Sequence, residues 1–274
     1  MVQRESEERM QIAAGTELPT QALIFDMDGT LVDSTSVIAG LWRRWSARHG
    51  VDPDAVLLAS PGRRTIETVM MFAPRGVDAS AEAASLARAA TEATEGLTAI
   101  PSAAALLRSL PHARWAVVTS AERALAERWL RLTGLPVPDV MVAAEDVTAG
   151  KPDPEGYVQA ATRLGFSPVE TVIFEDAPAG LAAGHAAGAY VIALATILTE
   201  AELEPHNWLR DFSQVSFSVG SGGCPMLKIG TDLKAQQVRN GHSMPQRLER
   251  SPELIVSVKR SPGEHLLGCK AVPW

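Results

Sequence analysis

Ala22-Leu23-Ile24-Phe25-Asp26-Met27-Asp28-Gly29-Thr30-Leu31 is the most telling stretch of this 274-residue chain. Four apolar residues in a row, with no polar residue alternating among them, suit a short strand covered on both faces. The run breaks at two aspartates separated by one residue, and Gly29 then permits a tight turn. In extended backbone, residues two apart point to the same side, so both carboxylates can face one pocket. Carboxylates that close repel, and a divalent cation relieves the repulsion. Oxygen-only donors favour magnesium or calcium over zinc. A calcium loop beginning at Asp26 is disfavoured, because its twelfth position is Val37 rather than glutamate and it would follow a strand. Two turn-forming aspartates at a strand end are the plainer alternative for this stretch alone.

Further apolar runs follow at residues 115–118, 140–142, 171–174 and 189–194. Helical segments are expected between them, over 101–110, 121–132, 154–164 and 178–187. Asp153 and Pro154 suit an N-cap and first helical position, and Ser167, Pro168 and Glu170 sketch another helix start with capping-box spacing. Strand–helix alternation implies an α/β fold: an open parallel sheet with helices on both faces. Residues 34–100 break the alternation. They hold no convincing strand, and helices are expected over 38–49, 65–72 and 80–95, the last rich in alanine. Such an all-helical insert forms a cap over the carboxyl ends of the strands, where open sheets bind ligands.

The strand ends carry more polar chemistry. Thr119 and Ser120 end the second run just before a helix, where hydroxyls and free N–H groups suit phosphate. Lys151 opens another helix within Gly150-Lys151-Pro152-Asp153-Pro154, and Glu175-Asp176 end the fourth run. Singly, Lys151 reads as a solvated lysine and Glu175-Asp176 as a turn; in this order, at strand and helix boundaries, they point to one pocket. Arg63 and Arg64 in the insert are candidates to reach it, against the plain reading of solvated arginines at a helix start. Trp42, Trp45 and Trp129 sit at helical positions suited to a core.

Composition bounds the rest. The chain is 46% hydrophobic and 21% charged, with a mean hydropathy of +0.03, which excludes a wholly disordered chain, a collagen-like fibre and a disulfide scaffold. No apolar run approaches the roughly 20 residues that span a bilayer. The net charge of −7 argues against non-specific nucleic-acid binding. Residues 1–20 show no apolar signal core and are expected to be disordered, and the protein cytoplasmic. Residues 220–274 hold both cysteines and an excess of four positive charges, without sustained periodicity. They are expected to form a disordered, dispensable tail, so that a chain ending near Val219 keeps its fold.

Asp26-Met27-Asp28-Gly29-Thr30-Leu31-Val32-Asp33-Ser34, Thr119, Lys151 and Glu175-Asp176 resemble, in that order, the four signatures of the haloacid dehalogenase-like hydrolase superfamily. The resemblance covers about residues 20–215. The insert is similar to the helical cap of the beta-phosphoglucomutase-like subgroup. Phe174-Glu175-Asp176-Ala177-Pro178-Ala179-Gly180 and Pro61-Gly62-Arg63-Arg64-Thr65 look most like the fungal 2-deoxyglucose-6-phosphate and glycerol phosphatases. Pro61 stands where those relatives carry histidine, and His185 where they often carry lysine. The resemblance implies a Rossmann-like core over 21–33 and 101–219 with the cap over 34–100. It implies a magnesium-dependent phosphatase of a small phosphorylated sugar or polyol, working through an aspartyl-phosphate. Asp26 would be the nucleophile and Asp28 the acid–base group. Thr119, Ser120 and Lys151 would hold the phosphate, with Arg63 and Arg64 toward the substrate. Mg2+ would sit among Asp26, Asp28, Asp176 and Glu175. Asp28 argues against halide displacement, which needs no acid for its leaving group. A sugar phosphomutase uses the same residues and is the alternative. The expected partner is a small phosphorylated metabolite, with no nucleic acid or membrane, and the default state is a monomer.

Overall fold

The computed structural model describes residues 12–219 and 224–230. The first half of the chain contains β1 (Glu17–Pro19), β2 (Ala22–Phe25), β3 (Val32–Asp33), α1 (Thr35–His49), α2 (Pro53–Ala59), α3 (Thr65–Phe72), α4 (Ala79–Glu92) and β4 (Thr98–Ala99). There follow α5 (Ala103–Ser109), β5 (Trp115–Val118), α6 (Arg123–Leu132), β6 (Val140–Val142), α7 (Glu155–Leu164), β7 (Thr171–Glu175) and α8 (Pro178–Ala186). The chain continues through β8 (Tyr190–Leu194), α9 (Glu200–Leu203), β9 (Asn207–Leu209), β10 (Val215–Val219) and β11 (Pro225–Ile229).

Six strands form one parallel sheet in the order β6-β5-β2-β7-β8-β9. The uninterrupted apolar runs have the physical reason expected of them, since β2, β5 and β7 are buried along their whole length. Alternate residues serve opposite faces. Leu23, Phe25, Val117 and Phe174 pack on one side with α5, α6 and the insert. Ile24, Ala116, Val118 and Ile173 pack on the other with Tyr157 of α7 and Leu181 of α8. Phe25 stacks on Phe174 at 5.1 Å between ring centroids, and Phe212 meets both edge-on. The chain runs outward from β2 first through β5 and β6, then through β7, β8 and β9. That makes the carboxyl end of β2 the switch point, where open sheets form their ligand crevice.

The cap is built on α1 to α4. Trp42 and Trp45 meet edge-on inside it at 5.6 Å, and the Trp45 indole donates to Glu82 at 3.1 Å, tying α1 to α4. From the core, Trp129 and Arg128 of α6 donate to the last carbonyls of α4, Ala90 O at 3.3 Å and Thr91 O at 2.8 Å. Two features, one in the cap and one in the core, differ from expectation. The insert is not wholly helical, because β4 pairs antiparallel with β3 as a two-stranded ribbon where the cap joins the core. The Ser167–Glu170 capping box forms but opens only a 3-10 turn (Pro168–Glu170), because Thr171 already begins β7. Asp153 likewise takes the N–H of Glu155 at 2.9 Å, while Pro154 occupies the cap position of α7.

The termini need a larger correction. Residues 1–20 were expected to be disordered, yet within them Glu17–Pro19 is a strand. Residues 220–274 were expected to be a disordered tail, yet within them Pro225–Ile229 is the central strand of a three-stranded antiparallel sheet, β1-β11-β10. Leu227 and Ile229 are buried in the main core. The physical reason is a period-2 pattern, Pro225, Leu227 and Ile229 inward and Met226 and Lys228 outward, too short to stand out in a polar, glycine-rich segment. The rest of both expectations lies outside the described residues.

Candidate active site

Asp26 continues β2 by one step, its N–H donating to Phe174 O at 3.0 Å. The chain then turns, with Leu31 and Val32 N–H groups both on Met27 O at 2.9 Å and Gly29 N–H on Val32 O at 2.7 Å. Gly29 is required there twice over. Its φ is +80°, and a Cβ would lie 1.9 Å from Asp176 Oδ2. Close approach of the turn after β2 to the end of β7 is what brings the acidic groups together.

Lys151 reaches in from the segment before α7 and is buried. Its ammonium donates to Asp26 Oδ1, to Glu175 Oε1 at 2.6 Å and to Val118 O at 3.4 Å. Tyr157 also donates to Glu175 Oε1, at 3.1 Å, and the Lys151 ammonium lies 5.2 Å from the centre of its ring. Glu175 Oε2 accepts the N–H groups of Asp176 and Ala177, both at 2.8 Å. Asp176 Oδ1 accepts from Thr30 at 3.2 Å, and Asp28 Oδ1 from Ser34 at 2.6 Å. Thr119 is buried, its N–H on Val142 O and its hydroxyl accepting from Ala121 N at 3.1 Å.

Electrostatics follow from burial. Desolvation, with Glu175 and Asp28 as like-charged neighbours, pushes Asp26 well above the usual carboxylate range despite Lys151. Burial, Glu175 and Asp26 do the same to Asp176. Burial raises Asp28 to about 6 against the Ser34 hydrogen bond. Burial works to lower Lys151, but Asp26 and Glu175 outweigh it and hold the ammonium charged. Asp26, Glu175 and Asp176 offer oxygens within 4.8 Å of one another. A crowded, all-oxygen set that is costly to ionise fits a hard divalent cation. Glu175 differs from the other two in having both oxygens engaged by four donors, so Asp26 and Asp176 are the carboxylates left to face an ion.

Asp26, Asp28, Thr119, Lys151, Glu175 and Asp176, singled out in the sequence, are thus gathered at the strand ends. Ser120 sits beside them but donates to Gly62 O of the cap at 2.7 Å. Arg64 is engaged by Glu67 and by the carbonyls of Val147 and Thr148. Arg63 makes no side-chain hydrogen bond or ion pair among the described residues. Tyr157, Ser34, Thr30 and Gly180 were not assigned roles from the sequence. Thr30, Ser34 and Gly180 lay inside the quoted motifs, whereas Tyr157 reads as an ordinary apolar-face residue of a helix.

A family model for haloacid dehalogenase-like hydrolases matches residues 20–188. The chain belongs to that family. The matched span takes in β2, the cap and every candidate site residue named above. The chain is 42% identical to hexitol phosphatase A of Escherichia coli (strain K12) over 178 residues, 64% of this chain and 82% of that protein. It is 36% identical to glycerol-1-phosphate phosphohydrolase 2 of Saccharomyces cerevisiae over 190 residues, 65% of this chain and 76% of that protein. CbbY from Rhodobacter sphaeroides, solved in complex with phosphate, has the same fold. Its TM-score is 0.62 at 24% identity, over 71% of this chain and 96% of that one. Among the described residues, no helix is long and apolar enough to cross a membrane.

Proposed function

We propose that this haloacid dehalogenase-like hydrolase is a phosphomonoesterase that releases phosphate from a small phosphorylated sugar or polyol. The observation that carries the reading is Asp26. It is a buried carboxylate at the switch point of the sheet, held by a charged lysine on one side and facing a second carboxylate, Asp176, on the other. The names of the two similar proteins, a hexitol phosphatase and a glycerol-1-phosphate phosphohydrolase, support the substrate class.

Asp26 attacks phosphorus and the bond to the ester oxygen breaks, leaving the phosphoryl group on the Asp26 carboxylate. Asp28, its pKa raised to about 6 by burial, gives its proton to the departing alcohol. It then takes a proton from the water that hydrolyses the aspartyl-phosphate, and phosphate leaves. Ser34 orients Asp28 for both steps. Lys151 offsets charge on the phosphoryl oxygens, and Glu175 with Tyr157 keeps its ammonium aimed at the site. Thr119 would hold the same oxygens. Asp26, Asp176 and the Asp28 carbonyl would hold Mg2+, whose charge stabilises the transferring phosphoryl group. Arg63 is the cap arginine left to meet the leaving group.

The test is phosphate release by purified protein on a panel of sugar and polyol phosphates, with magnesium and with a chelator, alongside Asp26→Asn. Release that requires the metal and falls by at least about 10³-fold in the variant is expected. Isomerisation without stoichiometric phosphate, or full activity of Asp26→Asn, would overturn the proposal.

A further inference from the structure

Resting on that reading, we infer that Arg64 is a positioning residue: from the cap it holds the loop that carries Lys151, and so sets where the lysine stands.

The loop in question runs through Val147, Thr148, Ala149 and Gly150 to Lys151. On its core side, the N–H groups of Thr148 and Ala149 donate to the Glu155 carboxylate, at 3.0 and 2.9 Å, at the start of α7. On its cap side, Arg64 Nη1 donates to Val147 O at 3.1 Å and Nη2 to Thr148 O at 3.0 Å. The loop's donors and acceptors are therefore gripped from opposite sides.

Arg64 is itself fixed. Glu67 Oε1 accepts from its Nε at 2.8 Å and its Nη2 at 2.6 Å, and Glu67 Oε2 accepts from its backbone N–H at 3.2 Å. All three guanidinium nitrogens have partners, and the side chain is 18% exposed. The pair lies directly against the loop, for a Cβ at Gly150 would stand 2.7 Å from Glu67 Oε1 and 2.8 Å from Arg64 Nε. A planar fork that meets two neighbouring carbonyls fixes orientation as well as distance, which a lysine cannot do.

The same cap segment has a second foothold. Gly62 O accepts from Ser120, next to Thr119, and a Cβ at Gly62 would lie 3.0 Å from Ala177 Cβ, next to Asp176. Residues 62–64 thus touch the loops after β5, β6 and β7 at once. The cavity left between Arg64, Thr119, Ser120, Gly150 and Lys151 is about 20 Å³, room for a single water.

Arg64→Met and Arg64→Lys test this. Expected for Arg64→Met is a fall in kcat of about 10- to 100-fold on both a polyol phosphate and phenyl phosphate, whose leaving group has no further hydroxyl for a cap arginine to bind. KM should stay within about threefold, and Arg64→Lys should recover part of kcat. A KM rise confined to the polyol phosphate, with kcat on phenyl phosphate unchanged, would overturn the inference and make Arg64 a substrate contact. Hydrogen exchange on the substrate-free protein gives a readout independent of activity. The Thr148 and Ala149 amides should exchange at least about tenfold faster in Arg64→Met, with interior α7 amides unchanged. Equal rates in parent and variant would overturn it. A parent protein that releases no phosphate from any ester refutes the phosphatase reading instead, and exchange then decides the role of Arg64 alone.

Discussion

Glu175 shows how residue type and residue role part company. In sequence it is one of two adjacent acids after a strand, indistinguishable from Asp176 as a hard ligand. In the fold its two oxygens take four hydrogens, and it becomes the anchor that keeps a buried ammonium charged. Removing one partner of such a buried pair leaves an uncompensated charge. Room for it depends on Gly180, where a Cβ would stand 1.6 Å from Glu175 Oε1. Gly180→Ala is therefore expected to displace the carboxylate and lower kcat/KM by about 100-fold or more. Tyr157→Phe removes a single neutral donor from the same oxygen, worth about 1 kcal/mol, and should cost less than about tenfold. Phosphate-release kinetics on the two variants, with circular dichroism to confirm folding, compare them; equal losses would show that the placement of Glu175 is not what matters. The ends of apolar runs pointed to Asp26, Asp28, Thr119 and Asp176, and a helix start pointed to Lys151. Tyr157 was not legible, because a helix-face tyrosine has no polar signature until the opposing carboxylate is in place.

Elements were legible where their period was long enough to count. The fully buried strands and the longer cap helices α1, α3 and α4 stand out, whereas α2 spans seven residues (Pro53–Ala59) and shows less than two full turns of pattern. Helix α7 carries a device that pattern alone does not reveal. Its first residue, Glu155, takes the N–H groups of Ala149 and Thr148, and these hydrogen bonds lower its pKa from the ordinary 4.5. The sign follows from linkage. A carboxylate whose folded pKa is depressed adds stability that is complete above its unfolded value and is lost as pH falls through the folded one. Thermal melts of the parent and Glu155→Gln should differ most above the ordinary 4.5 and converge as the pH falls below it, through the depressed folded value. A gap that stays constant across that range would mean that the charge of Glu155 does not hold the loop.

At the scale of the molecule, composition misled where a short pattern was embedded in a biased segment. The basic, glycine-rich stretch after residue 220 reads as an appendage, and a chain ending near Val219 then reads as complete. The fold reverses that for Pro225–Ile229. This strand lies between β1 and β10, and without it neither has a partner in that sheet. Leu227 is fully buried and Ile229 nearly so, both in the cluster that also contains Phe25, Phe174 and Phe212 beneath the site. Replacing one such side chain by alanine costs about 2 to 5 kcal/mol, against a total stability of about 5 to 15 kcal/mol for a folded domain. Leu227→Ala should therefore fold with a clearly lowered melting temperature. A chain ending at Val219 loses both side chains and the strand's ladder together, and should be largely unfolded or insoluble, with its phosphate release lost. Urea denaturation of the three proteins in parallel provides the measurement. If the chain ending at Val219 melts like the full-length protein, β11 contributes nothing to the core, and the appendage reading stands.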